Sequence, residues 1–299
     1  MNLEKLTNIK TEFKGYKEIL DSGDYEKAYE MLDKLLKTIE ESLDERRAAK
    51  VNSDAVVELT KDSKEEIYMS LNHVMEYYLY EVYFEPDAEV KTLDLPVGEY
   101  YRTFGELCQN MGKYKAAEDA YKKALSWNPV DLDSYLGLAE SYKYQNMLNR
   151  FLEVTKQAYR YCCTRATMAR YYRNIAYYYL SSYKPEIARD AYQYSNVYYH
   201  TDNADSELKY IEEALEKKIP DIDIRRIQKV FTEENVEPGP DSKTIGIIYR
   251  VGELMMQDNE LALARDCFSI CYDITQEQQL GSILDQLEEA LKEDSNGNE

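Results

Sequence analysis

The feature that most constrains this chain is a spacing that returns along it. From Glu99 to Pro129 the signposts are Tyr101, Phe104, Gly105, Cys108, Ala117, Tyr121, Ala124 and Pro129. The next copy stands 34 residues on, with Tyr135, Leu138, Ala139, Tyr142 and Ala158 in register, and Phe151 and Thr155 opposite Ala117 and Tyr121. A third copy reads Tyr172, Ile175, Ala176, Tyr179, Ala188, Tyr192 and Ser195. It is displaced by 37 residues, so extra residues enter near Cys162 to Arg165. A fourth reads Ile248, Val251, Gly252, Met255, Ala264, Phe268 and Cys271, and Gly23, Tyr25 and Ala28 echo Gly112, Tyr114 and Ala117. A unit that recurs at this period buries its apolar face by stacking on its neighbours.

Within a copy the spacing is helical. Residues three, four and seven apart share one helix face, so Tyr101, Phe104, Gly105 and Cys108 form one buried stripe. Gly105, Ala139, Ala176 and Gly252 are small because two helices approach there, and Ala117 and Ala188 permit the approach from the other side. Gly112 and Asn259 fall at the turn between helices, where a left-handed backbone suits Gly or Asn. Pro129 closes the second helix, since proline cannot donate into a continuing ladder. With 11 Gly and 7 Pro in 299 residues, long helices are favoured over a many-stranded sheet.

The order aromatic, apolar, small, aromatic, then Ala, aromatic, Ala and Pro resembles the tetratricopeptide repeat. The departures are Tyr or Ile at the family's Trp, and Cys108 or Met255 at an aromatic position. The resemblance implies an all-α fold, a tetratricopeptide-like solenoid of helical hairpins wound as a right-handed superhelix. It implies further that the first helix of each hairpin lines a concave groove. Carried over residue by residue, that groove is faced by Glu99, Arg102, Thr103, Glu106, Gln109 and Asn110 in the first clear copy. Asp133, Leu136, Glu140, Lys143 and Tyr144 face it in the second, and Arg170, Arg173, Asn174 and Tyr177 in the third. The last copy adds Tyr249, Arg250, Glu253 and Met256.

Arg102, Arg173 and Arg250 are taken as matched positions in an acidic chain. Arginine offers a planar fork suited to carboxylates. Asn174 beside Arg170 and Arg173 resembles the amide-and-cation sets with which some family members hold a peptide's terminal carboxylate. The competing expectation is internal pairing. Glu99 and Glu106 lie within a turn of Arg102, and Glu253 within a turn of Arg250. Arg170 and Arg173 have no such neighbour.

The rest divides as a helical N-terminal region (1–97) with a degenerate repeat, clear repeats (98–200), an atypical helix pair (201–241), a last repeat with a capping helix (242–292) and a tail (293–299). Because each repeat packs only on its neighbours, a solenoid of this length can stay a single unit, and length alone argues only weakly for two domains. Glu26 to Lys50 reads as one helix with apolar Tyr29, Leu32, Leu35, Leu36, Ile39 and Leu43. Ser63 to Phe84 reads as another, ending at Pro86. Between Phe84 and Gly98 a loop carrying Val90, Leu93 and Leu95 is expected to lie pinned on the helices. Ala204 to Lys217 and Ile222 to Glu234 are helices split by Pro220, Glu237 to Pro240 is a turn, and Leu280 to Leu291 caps the array. Asp294 to Glu299 is expected to be disordered.

The formal net charge of −20 disfavours a phosphate backbone and an anionic membrane surface as partners. Met1 to Lys17 has no continuous apolar run of the kind a secretory signal carries. Five cysteines at irregular spacing form no disulfide framework, which fits a reducing cytoplasm. Thirty tyrosines combine an apolar body with a polar tip, fit for a helix seam or a wet groove.

Catalytic signatures are missing: no glycine-rich phosphate loop, no G-x-S-x-G and no H-E-x-x-H occurs. His73, inside the expected 63–84 helix, and His200, at a repeat end, read as structural or surface groups. Cys267 and Cys271 have metal-pair spacing, but Cys271 takes the core place of Ala124, and no second pair is evident. Cys162 and Cys163 are adjacent near a helix end. The chain is therefore expected to be a cytoplasmic, non-catalytic scaffold or adaptor, without cofactor or metal, that binds a protein or peptide. The alternative is a regulator acting on a response-regulator partner, with Gln109 or Gln145 positioning water for phosphatase-like chemistry, or sensing a peptide. A peptide-sensing transcription factor would need a basic recognition helix, and the first 60 residues show none.

Overall fold

The computed structural model describes residues 3–42, 49–51, 57–59 and 66–297. Its framework is all-α, a succession of helical hairpins with two short two-stranded sheets set into the N-terminal half. The chain divides into two compact units, Met1–Val154 and Thr155–Glu299. The division falls inside the second helix of the second copy, a few residues before the insertion that breaks the repeat spacing.

The N-terminal unit begins with the hairpin α1 (Leu3–Asp21) and α2 (Tyr25–Ser42). The repeats proper follow as α4 (Val97–Asn110) with α5 (Tyr114–Trp127), then α6 (Leu132–Tyr144) with α7 (Leu148–Ala158). Their seam is built on one ring. Tyr121 of α5 is 1% exposed, and a Cβ on Gly105 of α4 would meet its Cζ at 2.8 Å, one on Gly137 of α6 at 2.3 Å. Three helices converge on that ring because two of them carry glycine there. Burying such an aromatic contributes roughly 2–3 kcal/mol. The first hairpin joins the same core, with Phe13 stacked on Tyr100 at 3.9 Å and Lys113 over the ring of Tyr29 at 3.8 Å.

Two expected helices are corrected in this unit. The helix expected to reach Lys50 is described as far as Ser42, and 43–48 lie outside the described residues. Ala49–Val51 is instead a strand, β1, paired antiparallel with β2 (Val57–Leu59). Leu43 and Ser63 lie outside the described residues. The helix expected over 63–84 begins only at Val74, as α3 (Val74–Phe84), and Glu66–Met69 is a strand, β3. Its burial alternates, with Ile67 and Met69 inside and Glu66 and Tyr68 half out, which is a period of two rather than 3.6. β3 pairs in parallel with β4 (Glu89–Thr92), so the expected loop is partly strand, while Leu95 is buried as anticipated. The end of β3 also satisfies a helix terminus: the Ser70 N–H donates to the Trp127 carbonyl at 2.9 Å.

The C-terminal unit contains the 3₁₀ turn Tyr159–Tyr161, then α8 (Arg165–Ser181) with α9 (Pro185–Tyr198). The pair α10 (Asp202–Leu215) and α11 (Ile224–Glu233) follows, then α12 (Ser242–Gln257) with α13 (Leu261–Thr275), and α14 (Gln278–Gly297). Tyrosines fill its seam: Tyr172 stacks on Phe231 at 5.4 Å and meets Tyr194 edge-on at 4.8 Å. Their hydroxyls reach out to the segment after α11, Tyr172 donating to the Glu237 carbonyl at 2.8 Å and Tyr194 to that of Pro238 at 2.6 Å. Gly252 accepts Phe268, whose ring lies 3.0 Å from the place of an added Cβ. α14 caps this hairpin with Leu280 and Leu287 buried. It continues through Gly297, and 298–299 lie outside the described residues.

The small residues behave as expected, with Ala117, Ala139, Ala176 and Ala188 all fully buried. The hairpin tips adopt left-handed backbone at Gly23, Gly112, Asn146, Tyr183 and Asn259. Among the described residues no helix is long and apolar enough to cross a membrane.

Candidate functional site

The groove candidates separate into groups the fold has used and groups it has left open. In the N-terminal unit, Arg102 projects from α4 toward the start of α6. Its Nη1 lies 3.1 Å from Asp131 and 3.2 Å from Asp133. Glu99 and Glu106, the partners expected from helical spacing, are not the ones it bonds. The Asp131 side chain is only 5% exposed and also accepts from Ser134 Oγ. Burial costs this carboxyl more than Arg102 returns and pushes its pKa up to about 6. Arg102 is therefore a link between repeats.

Gln109 is a link as well. Its amide donates to the Gly137 carbonyl at 2.8 Å and to Ser141 Oγ at 3.0 Å, and its Oε1 accepts from Tyr121 at 3.0 Å. That ties α4, α5 and α6 at one point. The other glutamine considered for water positioning, Gln145, donates to Glu118 at 3.2 Å and to the Ser141 carbonyl at 3.2 Å. Lys143 pairs with Glu140 at 3.2 Å, and Glu106 stays exposed with no hydrogen bond among the described residues. Leu136, expected to face the groove, is buried at 4% exposure: it belongs to the core, because α6 packs on two helices at once.

In the C-terminal unit, Tyr249 is part exposed and meets Phe268 edge-on at 5.5 Å. Arg250 pairs with Glu253 at 2.8 Å, as helical spacing suggested. Arg250 is also not the counterpart of Arg102. Ile248 takes the place of Tyr101 in this copy, so Tyr249 stands where Arg102 does and Arg250 is one position on.

Arg173 is the true counterpart of Arg102, each following the first aromatic of its copy. Its surroundings differ. Where the N-terminal unit offers Asp131, the C-terminal unit offers Asp202 at the start of α10, capped by Thr201, and among the described residues no carboxylate pairs with Arg173. The guanidinium is half-buried, and its covered Nη1 bonds to nothing. Burial and then the neighbouring Arg170 charge push its pKa down, opposed only by Tyr192. Arg170 is exposed and, like Asn174, makes no ion pair or hydrogen bond among the described residues. Tyr192, 3% exposed, lies beside Arg173 with Tyr177 near it, and its hydroxyl also bonds to nothing described. Glu207 of α10 acts on Tyr192 but forms no ion pair with either arginine. The α8 face therefore brings together Arg170, Arg173, Asn174 and Tyr177, with Tyr192 added by α9. Tyr192 was legible only as a packing residue. What frees its hydroxyl is Leu180, which stands in this copy where Gln109 bonds Tyr121 in the first.

The remaining reactive groups are quiet. All five cysteines are free, and burial pushes Cys163 and Cys267 up to about 11 and Cys271 up to about 12. Cys267 and Cys271 sit in the α13 core, and no group of three metal-ligating side chains occurs among the described residues. His73 is not inside a helix but precedes α3 in extended backbone, where its N–H and that of Asn72 reach Glu76. His200 lies at the surface, 2.8 Å from Asp205. A cleft of about 650 Å³ opens between Tyr159 and Tyr171 on one side and residues 235–242 on the other, with Lys156 held by the Asn235 carbonyl at 3.0 Å.

No family model matches the chain. No curated protein matches it. Among solved structures it is similar to YrrB, described as a tetratricopeptide repeat protein with an unusual peptide-binding site. The identity is 16%, the match covers 60% of this chain and 88% of that one, and the TM-score is 0.33.

Proposed function

We propose that this chain is a non-catalytic scaffold that holds a protein or peptide partner, and that the α8 face of its C-terminal unit receives an anionic segment of that partner. One observation carries the reading. The same arginine stands in two copies of one repeat. Arg102 is bonded by Asp131 and Asp133, and Arg173 is half-buried with no carboxylate partner among the described residues. A buried donor without an acceptor costs about 1–3 kcal/mol, a cost a fold retains where a ligand supplies the acceptor. Both amides considered for phosphatase-like water positioning hydrogen-bond within the fold, which supports the non-catalytic reading over that alternative. The free cysteines agree with a reducing compartment, and we place the protein in the cytoplasm.

The test is a synthetic peptide array bearing acidic and phosphorylated positions, probed with the full chain. The wild type is expected to select anionic peptides. The double variant Arg173→Ala, Asn174→Ala is expected to lose them, with thermal unfolding unchanged or slightly raised. Undiminished selection by a folded variant, or no selection by the wild type, sinks the reading.

A further inference from the structure

We infer that the anion received by the α8 face is a phosphate dianion carried on the partner, not a single carboxylate. The inference rests on the reading of that face given above and adds its ligand chemistry.

Charge balance points the same way. In the N-terminal unit one arginine, Arg102, meets two carboxylates, Asp131 and Asp133. On the α8 face two guanidiniums, Arg170 and Arg173, stand one helical turn apart and pair with no carboxylate among the described residues. A lone carboxylate leaves one of these charges uncompensated beside a half-buried group. A phosphate monoester near pH 7 carries between one and a half and two negative charges and cancels both. The hydrogen-bond inventory agrees. Arg173 Nη1 is an orphan donor, the Tyr192 hydroxyl and the Asn174 amide have no described partner, and Arg170 is open to solvent. All of these groups can donate, and Glu207, whose charge acts on Tyr192, forms no ion pair with either arginine among the described residues. A phosphate offers three acceptor oxygens beyond its ester link, and arginine's fork binds them bidentately. As the phosphate docks, the guanidinium turns toward it, and Nη1 gains the acceptor it lacks.

The experiment titrates the full chain with three small probes: N-acetyl-phosphoserine amide, N-acetyl-glutamate amide and inorganic phosphate. Binding is followed by the arginine Nε–Hε signals. The phosphoserine probe is expected to bind at least tenfold tighter than the glutamate probe at pH 7.5. Arg173→Gln and Arg170→Gln should each weaken it by about tenfold or more. Arg173→Lys, which keeps the charge without the fork, should fall between, and guards against a folding artefact. Equal binding of the phosphoserine and glutamate probes overturns the inference while leaving an anion-binding face. Absent phosphoserine binding, or binding indifferent to both substitutions, overturns it too. Inorganic phosphate bound tenfold tighter than phosphoserine would mean a free ion rather than a modified partner, and the inference falls.

Discussion

The two equivalent arginines predict opposite responses to the same substitution. Arg→Met keeps most of the apolar stem and removes the guanidinium. At Arg102 the loss strands Asp131, whose side chain is 5% exposed, while the bond to Asp133, 69% exposed, contributes little. Breaking a fully buried pair costs about 3–5 kcal/mol. Arg102 is itself 20% exposed, and Asp131 escapes part of the penalty by taking a proton, since its pKa already stands at about 6. The expected cost is therefore about 2 kcal/mol. At Arg173 no partner is stranded and an unsatisfied donor disappears, so stability should be unchanged or rise by about 1 kcal/mol. Two units in one chain rule out a single two-state number, so each unit needs its own probe. Trp127, the one tryptophan and 1% exposed, reports the N-terminal unit by fluorescence in urea. Hydrogen exchange of the α8 and α9 amides reports the C-terminal unit. An Arg173→Met chain destabilised as much as Arg102→Met would mean that Arg173 has a structural partner, and the site argument fails.

Other consequences follow from the same geometry. Gly137→Ala drives a methyl to 2.3 Å from the Tyr121 ring and should cost about 2–3 kcal/mol by Trp127 fluorescence; a neutral result would deny the three-helix contact. Tyr183 holds a left-handed backbone (φ 60°) while 94% exposed, at a tip where four other hairpins place Gly23, Gly112, Asn146 and Asn259. Tyr183→Asn should raise the stability of the C-terminal unit by about 0.5–1 kcal/mol in a thermal melt. The Asp131 carboxyl titrates at about 6 in the fold, above its ordinary 3.8. A raised acid stabilises the fold below its ordinary pKa and loses that contribution as pH rises through 6. The urea midpoint of the N-terminal unit should therefore carry a decline of about 2 kcal/mol from this group between pH 4 and 7, and Asp131→Asn should flatten it. The same slope in both proteins would contradict the burial argument.

The hairpins were readable because their signals are local. Tyr101, Phe104, Gly105 and Cys108 lie on one helix face whatever surrounds them, and Gly112 and Asn259 take the left-handed turn by their own backbone preference. What escaped was set by distant partners. β3 is a strand because its end docks on the Trp127 carbonyl and its length pairs with β4, and neither is visible in a window around Glu66. Gly137 was passed over because the repeat pattern marks Ala139 as the small position, whereas the ring of Tyr121 leans on the residue two earlier. The site shows the same division. Arg170, Arg173 and Asn174 were legible as a cationic cluster without helical neighbours of opposite charge. The capture of Arg102 by Asp131 and Asp133 depends on where the next helix begins, some thirty residues away. Arg250 was misplaced by one position, which on a helix is enough to move it to another face.

Of the two equivalent arginines, Arg102 is spent on the fold, and we propose that Arg173 is kept for a ligand. The arginine Nε–Hε spectrum, recorded while the full chain is titrated with an anionic peptide taken from the array, reads both at once. The Arg173 and Arg170 signals should move together and saturate while the Arg102 signal stays still. Movement of Arg102 with Arg173 at rest would contradict the account.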